Sequence, residues 1–249
     1  GLKTVDATGA AAGVNLDTSA GTANALLAFT GGAGNDTLTM AAGATVKTQV
    51  LDGGAGTDSL AIKDVTIDST TTALNQGINA VKNFEVLSLV GGATTAVDVS
   101  QVTSIAKFSV DAAVTGAATT TATAVTVSGQ TTQSVQATAD ITAGSAATNT
   151  DGNTALKITA KTDSGSNSVE LSLAGVTITG TALNGTGTTD GSAVDATNYE
   201  SVTIHSNNNA AGTATANTLT AGGTTAAAGK AVGGLLLGAN ATLTVDGSV

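Results

Sequence analysis

The chain has 249 residues, a net charge of −10 and eight basic side chains, all of them Lys. Without Arg or basic clusters it lacks the means to neutralise nucleic-acid phosphates. Without Cys it can form neither disulfides nor thiolate metal sites, and no apolar run approaches the ~18 residues of a membrane span. Aromatics are 2% of the chain, so any core is built from small and β-branched residues. Such a core suits a stack of thin layers better than one globule, because each layer buries its side chains against the next. The acids are biased to Asp, which favours loops and oxygen-ligated cations over helix surfaces.

In chain order, the first marked feature is a doubled phrase, GGAGNDTL from Gly31 and GGAGTDSL from Gly53. Each phrase runs into a short segment, Thr37-Leu38-Thr39 and Ser59-Leu60-Ala61, with one large apolar side chain between two small ones, which predicts a strand with its Leu turned inward. Between them, Thr45–Leu51 also alternates and reads as a strand. From Thr70 to Lys82, Leu74, Ile78 and Val81 fall at helical spacing, with a Thr or Ser upstream to cap the helix. Two later segments share one pattern, Asn83-Phe84-Glu85 and Asn198-Tyr199-Glu200, each leading into alternating residues. They read as one coil type used twice, with the aromatic as a plug.

Further strands are predicted at Val86–Val90, Ala124–Ser128, Ala155–Thr159, Ser168–Leu173, Val176–Thr179, Ser201–His205 and Ala241–Val245. The segments around 112–123 and 206–230 are the least regular. Nothing divides the chain into independent domains, so residues 1–249 read as one elongated region. The chain begins at Gly1 without Met or a visible signal peptide, as a processed product or a piece of a longer chain would.

The glycine loops lack the GxGxxG or GK[ST] spacing of phosphate cradles, and Asp36 and Asp58 would repel a phosphate. Glycines instead let carbonyl oxygens turn inward, and each Asp adds a carboxylate. Oxygen-only donors suit a hard ion such as Ca²⁺.

GGAGNDTLT and GGAGTDSLA resemble the nonapeptide GGxGxDxUx of RTX repeat proteins, a calcium-binding β-roll family. The second copy carries Thr57 where Asn or Asp is common. The Thr/Ala/Val-rich remainder resembles bacterial RTX-type surface-layer proteins. That resemblance implies an all-β, right-handed parallel β-helix or β-roll solenoid, with calcium-binding coils over about 13–61. It implies secretion by a type I route and calcium-dependent self-assembly on the bacterial cell surface, as a lattice. Attachment to cell-surface polysaccharide would use a region outside this chain. The ligands it implies are the carbonyls of Gly32 and Gly34 with Asp36, then those of Gly53 and Ala55 with Asp58. A second site would use Asp17 with Gly31, Ala33 and Asp36; Asp52 and Asp64 are further acids nearby. Asp36 and Asp58 are 22 residues apart where tandem repeats give 18.

Other classes fit less well. An adhesin or extracellular filament subunit shares the acidic, Thr-rich build. A β-helix polysaccharide lyase or epimerase needs clustered Arg, Lys, His or Tyr, and this chain has no Arg, one His and one Tyr. It reads as a structural protein, not an enzyme.

Overall fold

A computed structural model describes residues 1–41, 43–63, 67, 71–88, 96–111, 114–115, 125–129, 132–142, 155–160, 162, 165–180, 193–207, 217–220, 234–237 and 241–247. These residues form an all-β structure with one short helix, and every strand pairing among them is parallel. The longest sheet has nine strands in strict chain order: Asn15–Asp17, Thr37–Met40, Ser59–Ile62, Val86–Ser88, Lys107–Val110, Thr132–Ala137, Ser168–Ala174, Ser201–Asn207 and Thr242–Gly247. Up to residue 62 the chain alternates between this sheet and a three-stranded one built from Thr4–Asp6, Ala28–Thr30 and Val50–Asp52. From residue 96 it visits a five-stranded sheet, the nine-stranded sheet and a four-stranded sheet in turn. Each circuit adds one strand to each sheet it visits.

The alternation seen in the sequence becomes columns of side chains. Leu16, Leu38, Leu60, Leu87, Phe108, Val135, Leu171, Ile204 and Val245 stand in register along the nine-stranded sheet. From Leu38 to Ile204 this column is buried, each side chain worth about 1.5–3 kcal/mol against exposure. In the last described strand, Thr242–Gly247, Leu243 is 44% exposed and Val245 64%.

Most predicted strands appear within a residue or two of their expected bounds. Thr45–Leu51 is a correction: the strand is Val50–Asp52, and the chain turns before it. Val46 takes φ +50, and Asn24 Oδ1 accepts hydrogen bonds from Thr45 N–H and the Gln49 side chain. A β-branched residue at positive φ is strained; Val46 is held there with only 1% of its surface exposed.

The helix, α1, spans Thr72–Ala80 and buries Leu74, Gly77 and Ile78. It lies against that turn, since a Cβ on Gly77 would stand 2.0 Å from the Thr45 carbonyl oxygen. The expected capping differs: Thr71 occupies the N-cap but its side chain makes no cap hydrogen bond. Predicted positions 89–90 and 124 lie outside the described residues, as do most of 112–123 and 206–230.

Candidate functional site: the glycine-loop corner

The two glycine loops lie directly over one another. The strand before them and the strand after them are both offset by 22 residues, Ala28 on Val50 and Thr37 on Ser59. The 22-residue interval is therefore one full circuit. A third layer follows, with Gly53 N–H donating to the Lys82 carbonyl just as Gly31 N–H donates to Asp52. Asn83 thus stands over Gly53, and Glu85 over Asp58.

Glycine is required at the two equivalent first positions. A Cβ on Gly31 would lie 1.9 Å from the Gly53 carbonyl oxygen and 2.2 Å from Asp36 Oδ2. A Cβ on Gly53 would lie 2.0 Å from the Asn83 carbonyl oxygen and 2.7 Å from Asp58 Oδ2. In both places the space a side chain would need is filled by one carbonyl of the next layer and one carboxylate.

Asp36 and Asp58 are fully buried. Asp36 accepts two backbone hydrogen bonds, Val14 N–H to Oδ1 at 2.6 Å and Gly32 N–H to Oδ2 at 2.7 Å. Asp58 Oδ1 accepts Asp36 N–H at 2.6 Å, whereas its Oδ2 has no hydrogen-bond partner. The Gly54 N–H that could have reached it turns instead to Asp52 Oδ1 at 3.1 Å, with Gly54 at φ +96. Burial, above all, pushes the Asp58 carboxyl above the ordinary aspartate range, and the neighbouring Asp36, Glu85 and Asp52 carboxylates push it further. The Asp36 N–H bond opposes them.

The other sequence candidates fall around this corner unevenly. Gly32 is buried, and its carbonyl accepts Ala55 N–H at 2.8 Å; Gly34 lies over the Ala12–Gly13 peptide. Ala33 and Ala55 are exposed at the loop tips, and Ala33 N–H donates to the Ala10 carbonyl. Asp17 is not brought to Asp36. The register sets Val14 beside Asp36 and Asp17 beside Thr39, where the exposed Asp17 carboxylate accepts Ser19 N–H. Asp64 lies outside the described residues.

Sequence reasoning singled out the segment of Asn83 and Glu85 but not its place in this corner, over the second loop. Glu85 Oε2 accepts Asp58 N–H at 2.7 Å, continuing the ladder in which each acid holds the backbone of the layer before. Glu200 does the same to Asn167 N–H at 2.6 Å, and in both cases the Glu N–H and the next N–H donate to one carbonyl, Asp58 or Asn167. The Asn-aromatic-Glu pattern is therefore one local structure used twice. Phe84 is buried against Phe29, with ring centroids 6.4 Å apart, and Tyr199 is buried with its hydroxyl accepting the Gln133 amide. Burial raises the Tyr199 pKa.

The single histidine is engaged by charge. His205 Nδ1 lies 2.5 Å from Asp246 Oδ1, and Nε2 faces Glu170 at 4.0 Å.

Among the described residues, no three His, Cys, Asp or Glu side chains converge closely enough to hold a metal by side chains alone. Any cation at this corner must also use main-chain carbonyls. Comparison with protein-family models, curated proteins and solved structures gives no match.

Proposed function

We propose that this chain is a calcium-stabilised, self-assembling structural protein of the extracellular bacterial surface, a β-roll-like parallel solenoid serving a surface layer. The single observation that carries it is the buried, unpartnered Asp58 Oδ2 in a corner of stacked glycine carbonyls and acids. An unpaired buried carboxylate oxygen is costly, and like charges around it add to the cost. A hard divalent cation removes both costs. The donor set is all oxygen, which fits Ca²⁺ rather than a thiolate- or imidazole-seeking metal.

Calcium in this role neutralises and ties successive layers and takes no part in a reaction. Asp36 and Asp58, with the carbonyls of Gly32, Gly34, Gly53 and Ala55, are the groups of the doubled phrase that would hold it. Extracellular modules bind at about 10⁻⁴–10⁻³ M. A site of ~10⁻⁴ M in about 1 mM calcium adds roughly 1.4 kcal/mol, which matters to a thin core. The chain would be loose at cytosolic calcium and ordered outside, consistent with type I export.

Self-association is what the resemblance to surface-layer proteins implies. An adhesin or filament subunit is the second reading. Circular dichroism in EGTA and then calcium tests the first step. An unchanged strand signal and an unchanged melting temperature would sink the calcium role. Negative-stain microscopy with calcium separates sheets from filaments, and monomers at high concentration would count against both.

A further inference from the structure

We infer that His205 is a proton-operated clasp across three strands of the nine-stranded sheet, holding Glu170 on one side and Asp246 on the other when its ring is charged. The strands are Ser168–Ala174, Ser201–Asn207 and Thr242–Gly247, the last three described in that sheet. The cluster is separate from the glycine loops and needs no metal ion. It fastens these three layers to one another more firmly below neutral pH than above it.

The register sets the three groups on one face. Val169, Leu171 and Leu173 turn inward, as do Val202 and Ile204, so Glu170, Ser172 and His205 turn outward. His205 stands between Ser172 and Asp246 on the neighbouring strands, and Glu170 lies two residues before Ser172. His205 Nδ1 is 2.5 Å from Asp246 Oδ1. A carboxylate only accepts, so Nδ1 carries the hydrogen of the neutral ring. Nε2 is then bare and faces Glu170 Oε2 at 4.0 Å, one acceptor toward another. A proton on Nε2 reverses this. The charged ring donates from both nitrogens, and each has a carboxylate from a different strand to receive it.

Histidine changes charge between about pH 5 and 8, where carboxylates ordinarily stay ionised. The tie is therefore present while the ring is protonated and is lost as pH rises through that range. The other outward neighbours in the three strands, Ser172, Thr203 and Thr244, are uncharged. The next charge is Lys107, two strands before Glu170 across Ser134, and it lines the same hollow as Glu170. Lys107 can draw on Glu170, and it lies on the far side from Asp246. The His205, Glu170 and Asp246 side chains are 30%, 59% and 57% exposed, so the effect is local, of surface size and weakened by salt.

The test compares the full chain with His205→Gln, Glu170→Gln and Asp246→Asn, all at one fixed calcium concentration. The chain has a single histidine, so its ring signals in NMR report this site directly. Amide hydrogen exchange across Thr242–Gly247, expressed as protection relative to the unfolded rate at each pH, measures how firmly the last described strand is held. Between about pH 8 and 5.5, protection in the unmodified chain should rise about two- to fivefold more than in His205→Gln. Acid effects from elsewhere in the chain are common to both and cancel in the difference. Glu170→Gln and Asp246→Asn, which keep a side-chain oxygen but lose charge, should each forfeit part of that gain. About 1 M salt should shrink it. An equal rise in His205→Gln and the unmodified chain would overturn the clasp, as would a neutral ring carrying its hydrogen on Nε2. Should His205→Gln lose its strand signal, Glu170→Gln decides, because its side chain is exposed: an undiminished gain there would overturn the proposal.

Discussion

In the first glycine loop, Gly32 and Val14 donate to the two oxygens of Asp36, and the carboxylate is satisfied by the backbone alone. In the second, Gly54 adopts φ +96 and gives its N–H to Asp52, leaving Asp58 Oδ2 buried with no partner. The phrases differ little, GGAGNDTL against GGAGTDSL, and the strands after them are in register. What separates them is the neighbouring layers. The first loop lies between a layer with Val14 in the Asp column and the second loop. The second loop lies between Asp36 and Glu85, with Asp52 beside it where the first has Thr30. One motif can therefore have both carboxylate oxygens hydrogen-bonded in one layer and leave a buried acceptor unpartnered in the next.

The largest test of this contrast removes the space both loops share. Gly53→Ala puts a Cβ 2.0 Å from the Asn83 carbonyl oxygen, and Gly31→Ala one 1.9 Å from that of Gly53. Backbone on both sides must move, so each should lose about 3 kcal/mol of stability. Chemical denaturation with calcium present and absent checks it. Gly53→Ala should also erase the calcium-dependent gain, because its clash lies where the orphaned oxygen points.

Next come the two acids, with opposite expected signs in calcium-free buffer. Asp36→Asn leaves one of two short N–H donors facing an amide nitrogen, and should destabilise by about 2 kcal/mol. Asp58→Asn removes a buried charge from among three carboxylates, and should raise calcium-free stability at neutral pH by about 1 kcal/mol. It should also blunt the response to calcium. Equal losses in both variants would erase the distinction drawn between the loops.

The pH dependence follows from the raised Asp58 pKa. The folded state holds this proton more tightly than the unfolded chain does, so its contribution is fully present below the ordinary aspartate value of about 3.9. It is lost as pH rises through the higher native value. Calcium-free protein should thus gain stability from Asp58 as pH falls from neutral, and Asp58→Asn should remove that component. Melting temperatures of both chains across the acid range measure it by difference.

Particular residues explain what was legible in the sequence. Leu38 and Leu60 announced inward strands because each stands between small neighbours, and a local apolar–polar alternation marked Ser168–Ala174 and Ser201–Asn207. Thr45–Lys47 also alternates, but its conformation is decided by α1 packing from a later layer, with Gly77 against Thr45. At the corner, the motif gave Asp36 and Asp58 but not their difference. That difference depends on Asp52, Asn83 and Glu85, which only the stacking brings together. Asp17 misled for the same reason: its distance along the chain from Asp36 nearly matches a repeat, while the strand register puts it three residues away.

The smallest expected effect concerns the one letter inside the loops that differs. Asn35 Oδ1 accepts Thr57 N–H at 2.9 Å, so the first loop's Asn caps the equivalent position of the second. Thr57 has no such duty to perform, because the third layer is cut short before that position, with Asn83 and Glu85 only one residue apart. The difference between the phrases is therefore positional: a loop with a full loop above it benefits from Asn, and the last full loop does not. Asn35→Thr should cost only about 0.5–1 kcal/mol, because the Thr57 N–H is exposed and water can replace the lost acceptor. The calcium-dependent gain in melting temperature should stay at its wild-type size. Thr57→Asn should leave stability within about 0.5 kcal/mol, as surface substitutions generally do. A Thr57→Asn chain markedly more stable than wild type would mean that the third layer offers the partner its shortened corner is here taken to lack.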